Sequence, residues 1–183
     1  GFNASVLFIG AGATGKSHTM FGTQADPGVV SRLVTDLASR LAPTDTINLS
    51  LYTIANNIIT DMFLPLSEPA PIGGLSLTHV PDHGLPYIEN LRCVVAASTD
   101  LAANDEIIRN ALANLALRQL ELGGVYLTNS YIAQVDLLRN GERVCSCLLV
   151  EVAAVDTLHA AEKRDSLTNS HADDDEYVRK LKP

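Results

Sequence analysis

The sequence is short of basic residues, of cysteine and of long apolar runs, and each shortage removes a class of function. Lysine and arginine number 13 against 21 aspartates and glutamates, giving a formal net charge of −8. That sign argues against nucleic acid and against any polyanionic partner held by bulk charge alone. Only Cys93, Cys145 and Cys147 are present, an odd and sparse set without the paired spacing of a zinc site. Cys145 and Cys147 stand two apart in an apolar stretch, so they share one face of a strand, and the set reads as reduced core cysteines of an intracellular protein. No apolar run reaches the ~18 residues that a membrane span needs, so no membrane association is expected. The chain starts at Gly1, with neither methionine nor a basic leading region. No signal peptide is visible, and the start reads as an internal boundary, as in a fragment or a processed product. Internal repeats are absent.

What is present is a chain of 183 residues, 46% hydrophobic, enough for one folded domain with a tail. Ala4 to Ile9 is a short apolar run ending at Gly10, the pattern of a buried strand. A glycine-rich turn and a helical stretch follow. After Asp26, Pro27 and Gly28, the residues Val29, Val30, Leu33, Leu37 and Leu41 recur at helical spacing. Ile47 to Ile54 alternates apolar and polar residues, as in a strand with one face in the core. Pro65 to Gly74 reads as a loop. Asn104 to Leu122 is the strongest helix, with a stripe of Ile107, Ile108, Ala111, Leu112 and Leu115 and a stop at Gly123 and Gly124. Two strand-like runs, Tyr131 to Leu138 and Arg143 to Val155, flank Asn140 and Gly141, a hairpin signal because both turn residues need positive φ. Beyond Glu162 the chain is polar, with Asp173, Asp174, Asp175 and Glu176 in a row. The expected organisation is one α/β domain over 1–162 and a solvated acidic tail over 163–183.

The chemistry is concentrated in Gly10, Ala11, Gly12, Ala13, Thr14, Gly15, Lys16 and Ser17, which fit G-x-x-x-x-G-K-[ST] at every fixed position. The motif follows a predicted strand and opens a predicted helix, the context it requires. Backbone N–H groups from Gly12 to Lys16 would form an anion nest, and the helix N-terminus adds a favourable dipole. Lys16 would neutralise the outer phosphates of ATP or ADP, and the Ser17 hydroxyl would ligate Mg²⁺.

The flanking residues carry a family resemblance. Gly1 to Gly10 resembles the kinesin lead-in G-[YF]-N-[AG]-[TS]-[VI]. Gly15, Lys16, Ser17, His18, Thr19 and Met20 match the kinesin extension G-K-[ST]-[YFH]-T-M, which ordinary phosphate-loop proteins lack. Pro27 to Arg32 is similar to the kinesin G-[IV]-[IV]-P-R, with Ser31 in place of proline. Ile54, Asn56, Ile59 and Asp61 keep part of a strand–helix element, I-Y-N-E-x-I-x-D-L-L, and Tyr87 to Leu91 resembles a later V-x-G-L segment. The resemblance runs from Gly1 to about Asp156 and weakens along the chain. It implies a phosphate-loop layered fold, with a mainly parallel or mixed central sheet flanked by helices and incomplete at one edge. It further implies a cytoplasmic, cytoskeletal ATPase that partners microtubules, with a coiled coil in the full-length chain. His18 then lies beside adenine or at a satisfied surface position.

Departures from the family pattern bear on catalysis. Where kinesin switch I reads N-x-x-S-S-R-S-H, this chain has Leu127, Thr128, Asn129, Ser130 and Tyr131. Ser130 survives, the arginine position holds Asn129 and the histidine position holds Tyr131. The switch II segment D-L-A-G-S-E aligns with Glu151 to Asp156. Glu151 would reach Mg²⁺ through water, and Ala154 keeps an amide for the terminal phosphate without the torsional freedom of glycine. A second register makes Asp156 the metal-side acid, at the cost of an unusually long strand. The expectation is a nucleotide-binding domain with weak or absent turnover, Ser130, Glu151 and Ala154 sensing the terminal phosphate. The alternative is a nucleotide-free pseudo-motor serving as an interaction module among cytoskeletal proteins. The acidic end of the chain has the wrong sign for tubulin, so direct microtubule contact by this segment is doubtful.

Overall fold

The computed structural model describes residues 2–79, 86–96, 98–121 and 129–154. Its elements run β1 (Ala4–Phe8), α1 (Lys16–Phe21), α2 (Val29–Ser39), β2 (Asp45–Ala55), β3 (Ile58–Asp61), β4 (Leu77–His79), β5 (Pro86–Ile88), β6 (Val94–Val95), α3 (Leu101–Glu121), β7 (Ser130–Arg139) and β8 (Glu142–Glu151). The expected helix stop at Gly123 and Gly124, the alternative acid Asp156 and the acidic tail lie outside the described residues. No helix among the described residues is long and apolar enough to cross a membrane.

A mixed six-stranded sheet orders β1-β8-β7-β2-β3, with β6 also pairing β2. Only β1 and β8 run parallel; β8–β7, β7–β2, β2–β3 and β2–β6 are antiparallel. The hairpin between β7 and β8 turns at Asn140 and Gly141, with φ of 53° and 84° as the Asn-Gly pair requires. A second hairpin, between β2 and β3, turns at Asn56 and Asn57 with φ of 49° and 62°. The sequence reading took that stretch as strand then helix. Both asparagines tolerate the left-handed region, and this closes a tight turn there instead.

Burial departs from expectation in two strands. β2 does not alternate: every residue from Leu49 to Thr53 is buried. Ile47, Leu49 and Leu51 pack with Met20, Val30, Val34, Ile108, Ala111 and Leu115 of the three helices. Tyr52 joins a separate cluster with Ile59 and Ile132, covered by Leu75, Ile88 and Leu91. With both faces covered, the polar positions Ser50 and Thr53 are buried too. β1, apolar in sequence, is an exposed edge: Val6 is 42% and Leu7 59% accessible. Its sole strand neighbour among the described residues is β8, and only Phe8 reaches the core cluster. β8 itself stops at Glu151 rather than running on to Val155. Of the cysteines, Cys93 is exposed and Cys145 and Cys147 are half-buried, with Cys147 packed against the core cluster.

Helices α1 and α2 are joined by a tight turn. Gly28 donates its N–H to Phe21 O at 3.0 Å, and a Cβ at position 28 would fall 2.4 Å from the Phe21 carbonyl carbon and 2.5 Å from Met20 O. Those neighbours are backbone and cannot swing aside, so Gly28→Ala must push α1 off α2. The substitution is expected to cost about 1–3 kcal/mol, read as a lower urea midpoint at unchanged m-value. An unchanged midpoint would contradict this close approach.

Candidate functional site

The parallel pair β1–β8 brings Phe8 opposite Glu151, and the antiparallel pair β7–β8 brings Tyr131 opposite the same residue. The chain therefore enters the glycine-rich loop at the strand end where Glu151 sits. Ligand sites form at such carboxyl ends of parallel strands, because the following loop and helix open there.

Within the loop, Ala13 at φ 58° and Gly15 at φ 87° adopt left-handed backbone, the pattern of an anion nest. Ala13 is the strained member, since its Cβ disfavours this region. Thr14 Oγ1 donates to Ala11 O at 2.9 Å and closes the turn. The Lys16 ammonium donates to Gly10 O at 2.9 Å and Ala11 O at 2.7 Å, bracing the loop from inside. α1 has only six residues, so its dipole is small and the loop amides would carry most of any anion binding.

Facing the loop, Ser17 Oγ donates to Glu151 Oε1 at 2.6 Å, across a sequence separation of 134 residues. Among the described residues the second carboxylate oxygen, Oε2, is buried with no hydrogen-bond partner. A cavity of about 450 Å³ is lined by Gly12 to His18, Asn129, Tyr131, Glu151, Ala153 and Ala154. The sequence therefore identified the loop, Ser17, His18, Glu151 and Ala154 among the lining residues. Gly10 and Ala11 stand behind the wall, where their carbonyls hold Lys16. Ser130 is also off the wall, its Oγ accepting from Ala153 N at 3.1 Å. Strand alternation explains this: Asn129 and Tyr131 face the cavity, and the residue between them faces away. His18 is exposed, and borders both this cavity and an adjoining hollow of about 290 Å³.

Asn129 and Tyr131 entered the sequence reading only as replacements for charged residues, and the structure puts them on the wall. The Tyr131 ring meets Phe21 edge-on, with centroids 5.8 Å apart. Burial pushes its phenol above the ordinary tyrosine range, the Asn129 amide pulls it down and the Glu151 carboxylate raises it again. A polar network that no motif signalled ties the helices behind the loop. Arg109 donates to Phe21 O at 2.6 Å and Gly22 O at 3.0 Å and pairs with buried Asp105, which accepts from Ser31 Oγ at 2.9 Å. A larger hollow of about 490 Å³, between β3, residues 65–75 and the end of α3, carries none of the loop residues and shares Asn129 alone with the cavity.

The kinesin motor domain model matches residues 1–119, and the chain belongs to that family. Kinesin-like protein KIF22-A of Xenopus laevis is 39% identical over 82 residues, covering 39% of this chain and 13% of that protein. Kinesin-like protein KIF14 of Homo sapiens is 30% identical over 105 residues, covering 54% of this chain and 6% of that protein. The chain thus spans a small part of the length of these relatives. A solved structure of a fast kinesin superposes with a TM-score of 0.62 at 21% identity, over 84% of this chain and 45% of that one. The likeness at that identity is one of fold.

The Tyr131 environment gives a pH prediction. Its folded pKa is raised, so the phenol stays neutral through physiological pH, and the fold loses stability as pH climbs through that raised value. Ultraviolet titration should find one late-ionising phenol fewer in Tyr131→Phe. In Glu151→Gln the Tyr131 phenol should ionise earlier, because a like charge is gone. An unchanged titration in both variants would contradict the contact.

Proposed function

We propose that this chain binds Mg-ATP and Mg-ADP as the nucleotide-binding part of a kinesin-like, microtubule-associated protein of the cytoskeleton, and that it turns ATP over weakly or not at all. The observation that carries the reading is the Ser17–Glu151 hydrogen bond beside a loop with anion-nest backbone, next to a buried carboxylate oxygen without a partner among the described residues. Among the described residues no group of three or more His, Cys, Asp or Glu could hold a metal. A magnesium ion would therefore be held by Ser17, by water and by phosphate oxygens, as this small cation prefers, with Glu151 reached through a water. The ion would supply charge neutralisation between the outer phosphates.

The residues divide the work. Gly12 to Lys16 would bind phosphate through backbone N–H groups and the Lys16 ammonium, which exchanges its present carbonyl partners for the anion. Ser130 would act through the Ala153 amide that it holds, fixing the backbone beside Ala154. Phosphoryl transfer needs preorganised positive charge around the leaving groups. From Gln119 to Leu138 the sequence contains no Lys, Arg or His, so this wall of the site offers none. Binding survives that loss and turnover does not.

Mg-nucleotide at about a hundredfold excess over Kd should raise the melting temperature by roughly 5–10 °C. Lys16→Ala should abolish the rise. No shift at millimolar ATP or ADP would refute nucleotide binding and leave the nucleotide-free interaction module as the reading. Steady-state phosphate release should be negligible, with or without polymerised tubulin. Microtubule-stimulated release that disappears in Glu151→Ala would overturn the weak-turnover claim.

A further inference from the structure

We propose that the hollow of about 490 Å³ between β3, residues 65–75 and the end of α3 binds a small neutral ligand with a fused-ring apolar body, independently of the nucleotide site. The hollow follows from side-chain size. On the helix-facing side of β2, Ile47, Leu49 and Leu51 are large and fully buried, and the next two positions, Thr53 and Ala55, are small. Thr60 of β3 pairs with Thr53, so three small residues floor the space beside the last turns of α3. Leu64 and Leu115 wall it. Ile58, Leu66 and Ile72 bring exposed apolar surface to its rim, an arrangement that marks a binding site more often than a bare surface.

The walls are held in place without a ligand. Arg118 of α3 donates to the carbonyls of Leu64, Pro65 and Glu68, and Asn114 Nδ2 donates to Leu64 O at 2.6 Å, fixing the start of the loop. Its far end is fixed by Leu75 N, which donates to Ile59 O at 2.9 Å, and by Gly74, where a Cβ would fall 2.7 Å from that same oxygen. A preformed hollow of this size with a mainly apolar lining is the form that small-molecule sites take. Its charged groups are already engaged. Asp61 accepts from Phe63 N at 2.8 Å and from Arg92 N at 3.1 Å, Glu68 pairs with Arg92, and the Arg118 guanidinium is directed at carbonyls. A charged ligand would lose its hydration here without gaining a counter-charge, so the site selects a neutral one. Thr60 and Gln119 offer uncharged hydrogen-bonding groups for a single hydroxyl or carbonyl on that ligand.

The probe is 2-naphthol, a neutral fused-ring molecule with one hydroxyl, titrated against the whole chain and followed by its own fluorescence, which no tryptophan of the protein obscures. Saturable binding with a Kd below about 1 mM is expected, within reach of a ligand of about eleven heavy atoms. Thr60→Phe fills the hollow from the floor and Ala70→Phe from the loop, and each should weaken binding by about tenfold or more. Ile54→Ala, on the opposite face of the same sheet edge, should change it by less than about twofold. Ala70 is exposed, so Ala70→Phe keeps the fold and decides the matter even where Thr60→Phe does not fold. No saturable binding by the parent, or equal affinity in the parent and Ala70→Phe, would overturn the proposal. Probe binding that weakens as protein concentration rises, with a dimer in sedimentation, would give the hollow to a second copy of the chain and overturn it likewise.

Discussion

The site depends on one pairing, the parallel contact of β1 with β8 in the register that sets Phe8 against Glu151. That register delivers the glycine-rich loop to the end of β8, and the Ser17–Glu151 hydrogen bond of 2.6 Å joins the two. Slipping the strands by one residue would turn Glu151 to the other face of the sheet and leave Ser17 without its acceptor. The contact is also sparsely supported. β1 is exposed along most of its length, and α1 beyond the loop has six residues. Support comes instead from behind, where Arg109 grips the last carbonyls of α1 and Asp105 and Ser31 fix Arg109. Half-buried Arg109 with buried Asp105 and Ser31 thus stabilises the loop's position where apolar packing is thin.

The two sides of the cavity differ in kind. The loop side carries left-handed backbone at Ala13 and Gly15 and the Lys16 ammonium. The strand side, lined by Asn129, Tyr131, Glu151, Ala153 and Ala154, offers a carboxylate and no basic side chain. On the function proposed above, such a division would separate binding from turnover, because a phosphate is held by amides and one ammonium, whereas transfer requires further charge stabilisation. Among the described residues Glu151 Oε2 is a buried oxygen without a partner in a residue that lines this cavity.

The parts of the fold legible in sequence were those set by local backbone chemistry. Asn140 and Gly141 mark a hairpin because few residue pairs accept positive φ twice in succession. Asn56 and Asn57 obey the same rule, yet the family pattern around them suggested a helix and hid the turn. Helix α3 was legible from its apolar stripe, although it starts at Leu101, three residues before Asn104. Burial was less legible, because it belongs to neighbours and not to composition. Val6 and Leu7 look like core residues and lie on an open edge, and the Cys145–Cys147 pair is only half covered. At the site, the motif yielded the loop directly. Choosing Ser130 over Asn129 followed side-chain identity, whereas strand alternation decides which of them faces the cavity.

The central claim is that the loop and the ends of β7 and β8 make one nucleotide site. Hydrogen–deuterium exchange of the whole chain, with and without Mg-ADP, tests it most directly. The account predicts slower amide exchange on adding nucleotide at Gly12 to Ser17 and, in the same experiment, at Glu151 to Ala154. Protection confined to the loop, or absent from both segments at saturating nucleotide, would contradict it.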